Sequence, residues 1–475
     1  MITFDHMIRE AVLYLEMNMR CAKHRVEHTG SSTYLLDIYS YLNEVEKGKA
    51  LVETLMKRIV RDGDSWIFYP GLMNMMNMSN NVIDCGSAVD TIARFLRTHA
   101  GAFSADEHAA YAADLKKVVD SYLESASRTK RTTNQRLWGL TGVASYAKYV
   151  KETSFAKGAE ESIKLAFSDM TTDGFFRYFP DAEKNGTFAG YDDITTFYQS
   201  RCTAFIRYVL GELGIPVAPH EARLEESTKA LLAMYSSEGI KDLRLECKRW
   251  YWLSRYEVAS HAFDAYTLAY SSVPEAKTAL HNVLYQIRKH FYDGYLHSHQ
   301  GASINFQCPI FWTAHLAWLT RIPDIAKTFD RADSTKPFSY EFKGKEVYTK
   351  TTSAKRALVN ARWQKRNPTV GIYANGLEGD AKWHWRFPQL PPAFLHSLRE
   401  VLNHTWYALR GGYIREAFLR IFFFKLECFV MLLPRYKVGY GKVTSLTYRG
   451  DEVHVEVQPA TKYGTTLDAR VRITL

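Results

Sequence analysis

A change of hydrophobic period near residue 335 constrains this chain more than any other feature. Up to about residue 330, apolar residues recur three and four apart, as on one face of a helix. The pattern starts at Ile8, Val12, Leu13 and Leu15, continues over 34–41, and runs through 51–60 with Lys57 and Arg58 on a polar face. It recurs over 87–98, 105–126, 136–150, 157–168, 195–213, 221–236, 256–271, 274–290 and 308–321. Turn chemistry separates these stretches at Asp62-Gly63-Asp64, Thr172-Asp173-Gly174, Gly214-Ile215-Pro216 and Asp293-Gly294. Helices with such short connections form antiparallel hairpins, stacked as a solenoid or closed into a ring. Beyond Pro337, the basic stretch 343–355 and Pro391-Pro392 interrupt any helix. Strand-like segments follow at 369–373, 443–448, 452–458 and 469–474, and Glu452 to Val457 alternates almost perfectly after an Arg449-Gly450-Asp451 turn. The expected fold class is mainly α with a β appendage, residues 1–334 being helical and 335–475 a small β-rich domain. No tetratricopeptide or ankyrin repeat is present, but Asp173-Gly174-Phe175-Phe176 is echoed by Asp293-Gly294-Tyr295-Leu296. Similar loops at one end of successive hairpins suit an α/α toroid, where they line one mouth.

Composition narrows the class of function. At 46% hydrophobic and 24% charged, the chain is neither disordered nor fibrous. Aromatic residues make up 14%, which keeps sugar and base binding in view, and 61 basic against 51 acidic residues give +10. The beginning has early acids and no apolar run of signal-peptide length, so the expected location is cytoplasmic, or extracytoplasmic if a leader has been removed. The most apolar run, 421–434, is too short for a bilayer and contains Lys425 and Glu427, which predicts buried core. Six scattered cysteines with no Cys-x-x-Cys argue against a zinc cluster and fit a reducing compartment.

Polar residues inside apolar helical stretches gather in four places. These are Ser79-Asn80-Asn81 with Asp84 ahead of Asp90, Arg131 to Arg136 opening a helix with Trp138, Tyr191 to Arg201, and Arg249 to Glu257 followed by His261 and Asp264. Each has a plain reading. Asn80-Asn81, Thr132-Thr133-Asn134 and Asp192-Asp193 all read as helix caps. Glu257, His261 and Asp264, four and three apart, share one helix face and could form a structural network. His297-Ser298-His299 is expected to serve a loop rather than a metal, because no third ligand is close by in sequence. No dinucleotide fingerprint, P-loop or nucleophile elbow is present, and no cofactor is expected.

The order Thr132-Thr133-Asn134-Gln135-Arg136-Leu137-Trp138-Gly139, Asp173-Gly174-Phe175-Phe176, Thr196-Phe197-Tyr198-Gln199 and Tyr208-Val209-Leu210 resembles the heparinase II/III-like polysaccharide lyases over roughly residues 60–320. The resemblance implies an α/α toroid with a C-terminal β domain, an Asn at one helix start, and a Tyr some sixty residues later. Gln135 and Gln199 stand where that family usually has histidine, and no His-x-Asp segment supplies a further one.

The expected activity is therefore on an acidic, uronic-acid-containing polysaccharide, by β-elimination. Asn134, helped by Gln135 or Arg136, would neutralise the substrate carboxylate. Tyr198 would act as base or acid, with His261 or His299 as its partner and Arg201 lowering the Tyr pKa or binding the carboxylate. Trp138, Tyr191, Trp250, Trp252 and Arg255 are expected to contact sugar. A glycoside hydrolase on the same ring would need two carboxylates among Asp84, Asp192, Asp193, Glu257 and Asp264. A C5-epimerase would share the proton abstraction. A helical nucleic-acid binder would use Arg128, Lys130, Arg131 and Arg136, with Lys248, Arg249 and Arg255 among the aromatics.

Overall fold

The computed structural model describes residues 2–20, 29–69, 81–178, 180, 194–242, 245–246, 257–299, 307–352, 356–360, 371–374, 441–450, 452–459 and 471–474. The run 421–434, expected as buried core, lies outside the described residues.

The described chain is mainly helical, with small antiparallel sheets. Helices α1 Phe4–Arg20, α2 Thr29–Ser32, α3 Leu35–Tyr41 and α4 Val45–Met56 lead to hairpin β1 Ile59–Asp62 and β2 Ser65–Phe68. Then come α5 Asn81–Thr98, α6 Ala105–Val118, α7 Glu124–Thr129, α8 Thr133–Val150, α9 Phe155–Ser168, α10 Thr196–Leu213 and α11 Glu221–Leu232. The helical part continues with α12 His261–Ala269, α13 Ala276–His290, hairpin β3 Phe291–Tyr292 and β4 Tyr295–Leu296, α14 Gln307–Ala314 and α15 Ile325–Asp330. Helix α3 packs on α5, α5 on α8, α8 on α10 and α10 on α12. Helix α12 packs on the 3-10 turn His315–Arg321 that extends α14, and that turn packs back on α3.

These packed helices carry little polar face. In α8 every residue from Thr133 to Ala147 is buried, as suits a helix surrounded by others. Their charges are paired inside. Arg321 Nη2 lies 2.8 Å from Asp90 Oδ2, and its Nε donates to Asp37 at 2.9 Å. Asp90 also accepts from Tyr208 and Ser145, each at 2.6 Å, so one network joins α3, α5, α8, α10 and the 315–321 turn. Buried polar groups explain where the helix bounds differ from the expected ones. Helix α5 starts at Asn81 rather than 87 because Asn81, Asp84 and Ser87 face inward and blur the apolar stripe. The expected helix 105–126 is broken by a π-helical turn at Val119–Leu123.

A turn after an outer helix recurs more often than the sequence suggested. Gly174 follows α9 at φ +80°, and a Cβ there would lie 2.6 Å from the Glu226 carbonyl oxygen on α11. Only glycine fits that approach and that φ. Gly239, after α11, meets Asn282 of α13 in the same way, and Gly294, after α13, rests on Glu10 and Tyr14 of α1. The echo of Asp173-Gly174 and Asp293-Gly294 thus has a third member, in which Glu238 replaces the aspartate.

Strands β5 Tyr340–Lys343, β6 Val347–Thr351, β7 Arg356–Asn360 and β8 Gly371–Ala374 form one antiparallel sheet in chain order. In a second, β10 Glu452–Pro459 lies between β9 Gly441–Arg449 and β11 Val471–Thr474. The basic stretch 343–355, expected only to interrupt helices, contains β6, in which Val347, Thr349 and Thr351 are buried while Lys350 is exposed. Asp173 fixes this sheet to the helical part by accepting from the backbone N–H groups of Lys345, Glu346 and Val347 at 2.7, 2.8 and 2.9 Å. Asp173→Ala strands those donors, so a loss of about 3 kcal/mol is expected in urea denaturation. Faster amide exchange at 345–347, with α8 and α10 unchanged, locates the effect.

Candidate active site

Four expected site residues lie at the start of α8. Thr132 precedes the helix without a side-chain capping bond, contrary to the cap reading. Asn134 is 2% exposed, and both polar atoms of its amide are buried without a hydrogen-bond partner among the described residues. Gln135 is buried beside it. Arg136 is bound within the fold: it pairs through Nη2 with Asp169 and donates to the Lys130 carbonyl at 2.9 Å. Thr133 donates to the same Asp169 oxygen at 2.8 Å. Trp138 is also internal, its indole N–H donating to Ser87 at 2.7 Å.

Helix α10 is capped by Thr195, whose hydroxyl accepts from Tyr198 N–H at 3.3 Å, and by Glu246, which accepts from Phe197 N–H at 2.9 Å. These caps place Tyr198 in the first turn, 9% exposed, with its ring stacked on Tyr178 at 5.5 Å. Gln199, where the resemblance implies histidine, is a strap. Its carbonyl accepts from Phe176 N–H at 2.8 Å, and its amide donates to Gly174 O at 3.0 Å and Ser227 Oγ at 2.9 Å. Arg201 is 1% exposed and surrounded by rings, 4.4 Å from the Phe197 centroid, 4.8 Å from Phe263, 5.3 Å from Tyr198 and 5.6 Å from Trp138. It donates to Ala259 O at 2.7 Å. One guanidinium therefore gathers α8, α10 and α12 beneath Tyr198.

The histidines come together on the next side. His261 opens α12 and its Nδ1 lies 3.1 Å from Asp264 Oδ2. Its Nε2 lies 2.9 Å from His299 Nε2, although the two residues are 38 apart in sequence. The ring of His290, at the end of α13, sits 4.1 Å from that of His299. Burial pushes His290 down to about 4, helped by Lys289, His261 and His297. His299 is driven lower still by burial, then by His261, His290 and Lys289. Both imidazoles are thus neutral near pH 7. His297 instead stacks on Tyr292 at 3.5 Å. Glu257 lies in a 3-10 turn before α12 rather than on its face, and it accepts from Ser298.

Sequence reasoning missed Lys241. Its ammonium is buried and donates to Asp264 Oδ1 at 2.6 Å, Ser260 at 2.8 Å and Thr196 O at 3.3 Å. A single lysine after a glycine turn gives no signal of this. Tyr191, Asp192, Asp193, Trp250, Trp252 and Arg255 lie outside the described residues. Among the described residues no group of three or more His, Cys, Asp or Glu could hold a metal ion. No helix described is long and apolar enough to cross a membrane.

The described side chains combine an amide without a described partner, a phenol above a caged guanidinium, and a hydrogen-bonded imidazole pair tied to a carboxylate. Such a set can bind a carboxylate and move protons. No curated protein and no solved structure matches the chain. Residues 8–186, less than half of it, match the family model described as Alginate lyase. That segment contains Asn134 and Arg136 but ends before Tyr198, Arg201, His261 and His299. The match supports a polysaccharide lyase family, by the alginate lyase description rather than the heparinase II/III one.

Proposed function

We propose that the protein cleaves an acidic, uronic-acid-containing polysaccharide by β-elimination, in a cleft at the mouth of an α/α toroid. The run of packings that leaves α3 and returns to it supports the toroid. The glycine turns that step from α9 to α11, α13 and α1 do so as well. Residues 335–475 are taken as a β-rich C-terminal domain docked through Asp173.

The observation that carries the reading is Asn134. A buried amide with no partner costs about 1–3 kcal/mol and is retained where a ligand completes it. Its N–H donors suit the charge that develops on a uronate carboxylate when the C5 proton leaves. Alginate, a polymer of uronic acids, is the substrate class the family match points to. Tyr198, with Arg201 against its ring, and the pair His261–His299 supply acid and base. The net charge of +10 favours approach of a polyanion, and added salt weakens it.

The described hydrolase candidates are already engaged. Asp264 is paired with Lys241, Glu257 accepts from Ser298, and Asp84 accepts from Gly30 N–H at 2.7 Å. Of the basic residues expected in a nucleic-acid site, Arg128 pairs with Glu124 and Arg136 with Asp169. The test is ultraviolet absorbance across uronate polysaccharides, since elimination creates a conjugated unsaturated uronate. Asn134→Ala should lose at least about tenfold in turnover while folding stability holds or rises, because the amide has no bond to lose. Absence of new absorbance on every uronate polymer overturns the proposal.

A further inference from the structure

The hydrogen-bond chain that ends at His299 has a direction. Asp264 is fully buried beside Lys241, which donates to its Oδ1 at 2.6 Å. Burial alone would push the carboxyl up, but Lys241 and His261 outweigh it and hold it below the ordinary range. An ionised carboxylate only accepts, so His261 Nδ1, 3.1 Å from Oδ2, carries the proton. Lys241 already balances Asp264, and of the other charges acting on Lys241 the cation Arg201 offsets the carboxylate Glu246, so a second buried cation at His261 would be uncompensated. Neutral His261 then has a bare Nε2. His299 Nε2, 2.9 Å away, must donate to it. Neutral His299 is left with a bare Nδ1, and that atom is buried without a hydrogen-bond partner among the described residues.

We propose that Lys241 and Asp264 are positioning residues that fix the tautomers of His261 and His299, so that the bare Nδ1 of His299 is the proton acceptor of the site. This rests on the elimination reading above. In the step, the C5–H bond breaks, the proton passes to His299 Nδ1, and the electron pair moves into the C5–carboxylate system. That pair then forms the C4–C5 double bond as the C4–O bond breaks. The leaving oxygen keeps the C4–O pair and takes a proton from the Tyr198 hydroxyl. Exchange with water afterwards removes the proton from His299 and restores the one on Tyr198.

Lys241 has a second effect. It spares the pair from Asp264's full charge, and burial, then the neighbouring His261, His290 and Lys289, keep His299 unprotonated. Without Lys241, Asp264 would draw a second proton onto His261. Both nitrogens of His261 would then donate, His299 would reverse, and its Nδ1 would be blocked. The group gains its proton more readily, so the acid limb of kcat/KM moves to higher pH.

Nitrogen-15 spectra of histidine-labelled full-length protein test the tautomers without substrate. His299, assigned by its loss in His299→Gln, should show a bare Nδ1 and a protonated Nε2 at neutral pH. On a cleaved uronate polymer, Asp264→Asn should lower kcat by about a hundredfold or more with little change in KM. Lys241→Met should raise the acid limb by about one pH unit or more. The double variant Lys241→Met/Asp264→Asn removes both buried charges, which protects folding, and should keep the kcat loss without the shift. A protonated His299 Nδ1, or single variants with unchanged kcat and pH profile, overturns the proposal. If the tautomers are as stated and no uronate polymer is cleaved, the elimination reading fails and the tautomer assignment stands.

Discussion

Tyr198→Phe is expected to lower turnover by about a hundredfold or more while leaving the fold intact, because it removes a proton-transferring hydroxyl and keeps the ring. The ring stacks on Tyr178 and faces the Arg201 guanidinium 5.3 Å from its centroid. The helix start is held by Thr195 and Glu246, neither of which needs the phenol oxygen. Loss of one hydrogen-bonding oxygen costs about 1 kcal/mol, within reach of a denaturation midpoint. In the proposed elimination Tyr198 is the acid, its hydroxyl giving a proton to the leaving oxygen. Pairing Tyr198→Phe with Asn134→Ala should lose less than the sum of the single effects, since both act on one transition state. Steady-state turnover with thermal melting on the same samples checks this. Retained turnover with a lowered melting point would assign Tyr198 to packing.

Arg136→Met is expected to act on stability instead, by about 3–5 kcal/mol. Arg136 and Asp169 are both nearly inaccessible, and the pair links the start of α8 to the end of α9. Removing the guanidinium leaves the buried Asp169 carboxylate, which also accepts from Thr133, without its paired cation. Arg136→Met/Asp169→Leu, which removes both charges, should recover much of the loss. If Arg136 held the substrate carboxylate instead, Arg136→Met would raise KM and leave the unfolding midpoint in place. Equilibrium denaturation of the two variants separates these outcomes.

Some of this site was legible in the sequence. The helix starts that carry Asn134, Tyr198 and His261 are marked by threonine and serine ahead of apolar runs, and they lie where expected within a few residues. The pairing of His261 with Asp264 followed from helical spacing. Contacts between distant segments had no such signal. Gln199 looked like a replaced histidine, but its donors and acceptors match a backbone turn that exists only once α9 and α11 are packed. Nothing in the sequence marks Lys241, and only its burial against Asp264 gives it a role. Strand β6 was hidden because its exposed positions are basic and two of its buried ones are threonine, so alternation in polarity is weak. The third glycine turn was missed because glutamate, not aspartate, precedes Gly239.

Helix α1 packs against α15, and the backbone N–H of Phe4 donates to Asp330 Oδ1 at 2.8 Å across 326 positions of chain. Arg321 likewise reaches Asp37 across 284. Such contacts carry a loop-closure cost that grows only as the logarithm of length, but they must wait for nearly the whole helical part to be present. On a ribosome adding about 5–20 residues per second, α1 and α3 therefore emerge many seconds before their partners exist. In that interval Phe4, Met7, Ile8 and Leu15, all fully buried at the end, lack the cover of α14 and α15. Helix α1, made long before the segments it packs against, is among the last of the described helices to finish folding, and until then its apolar face is open to a chaperone or a neighbouring nascent chain.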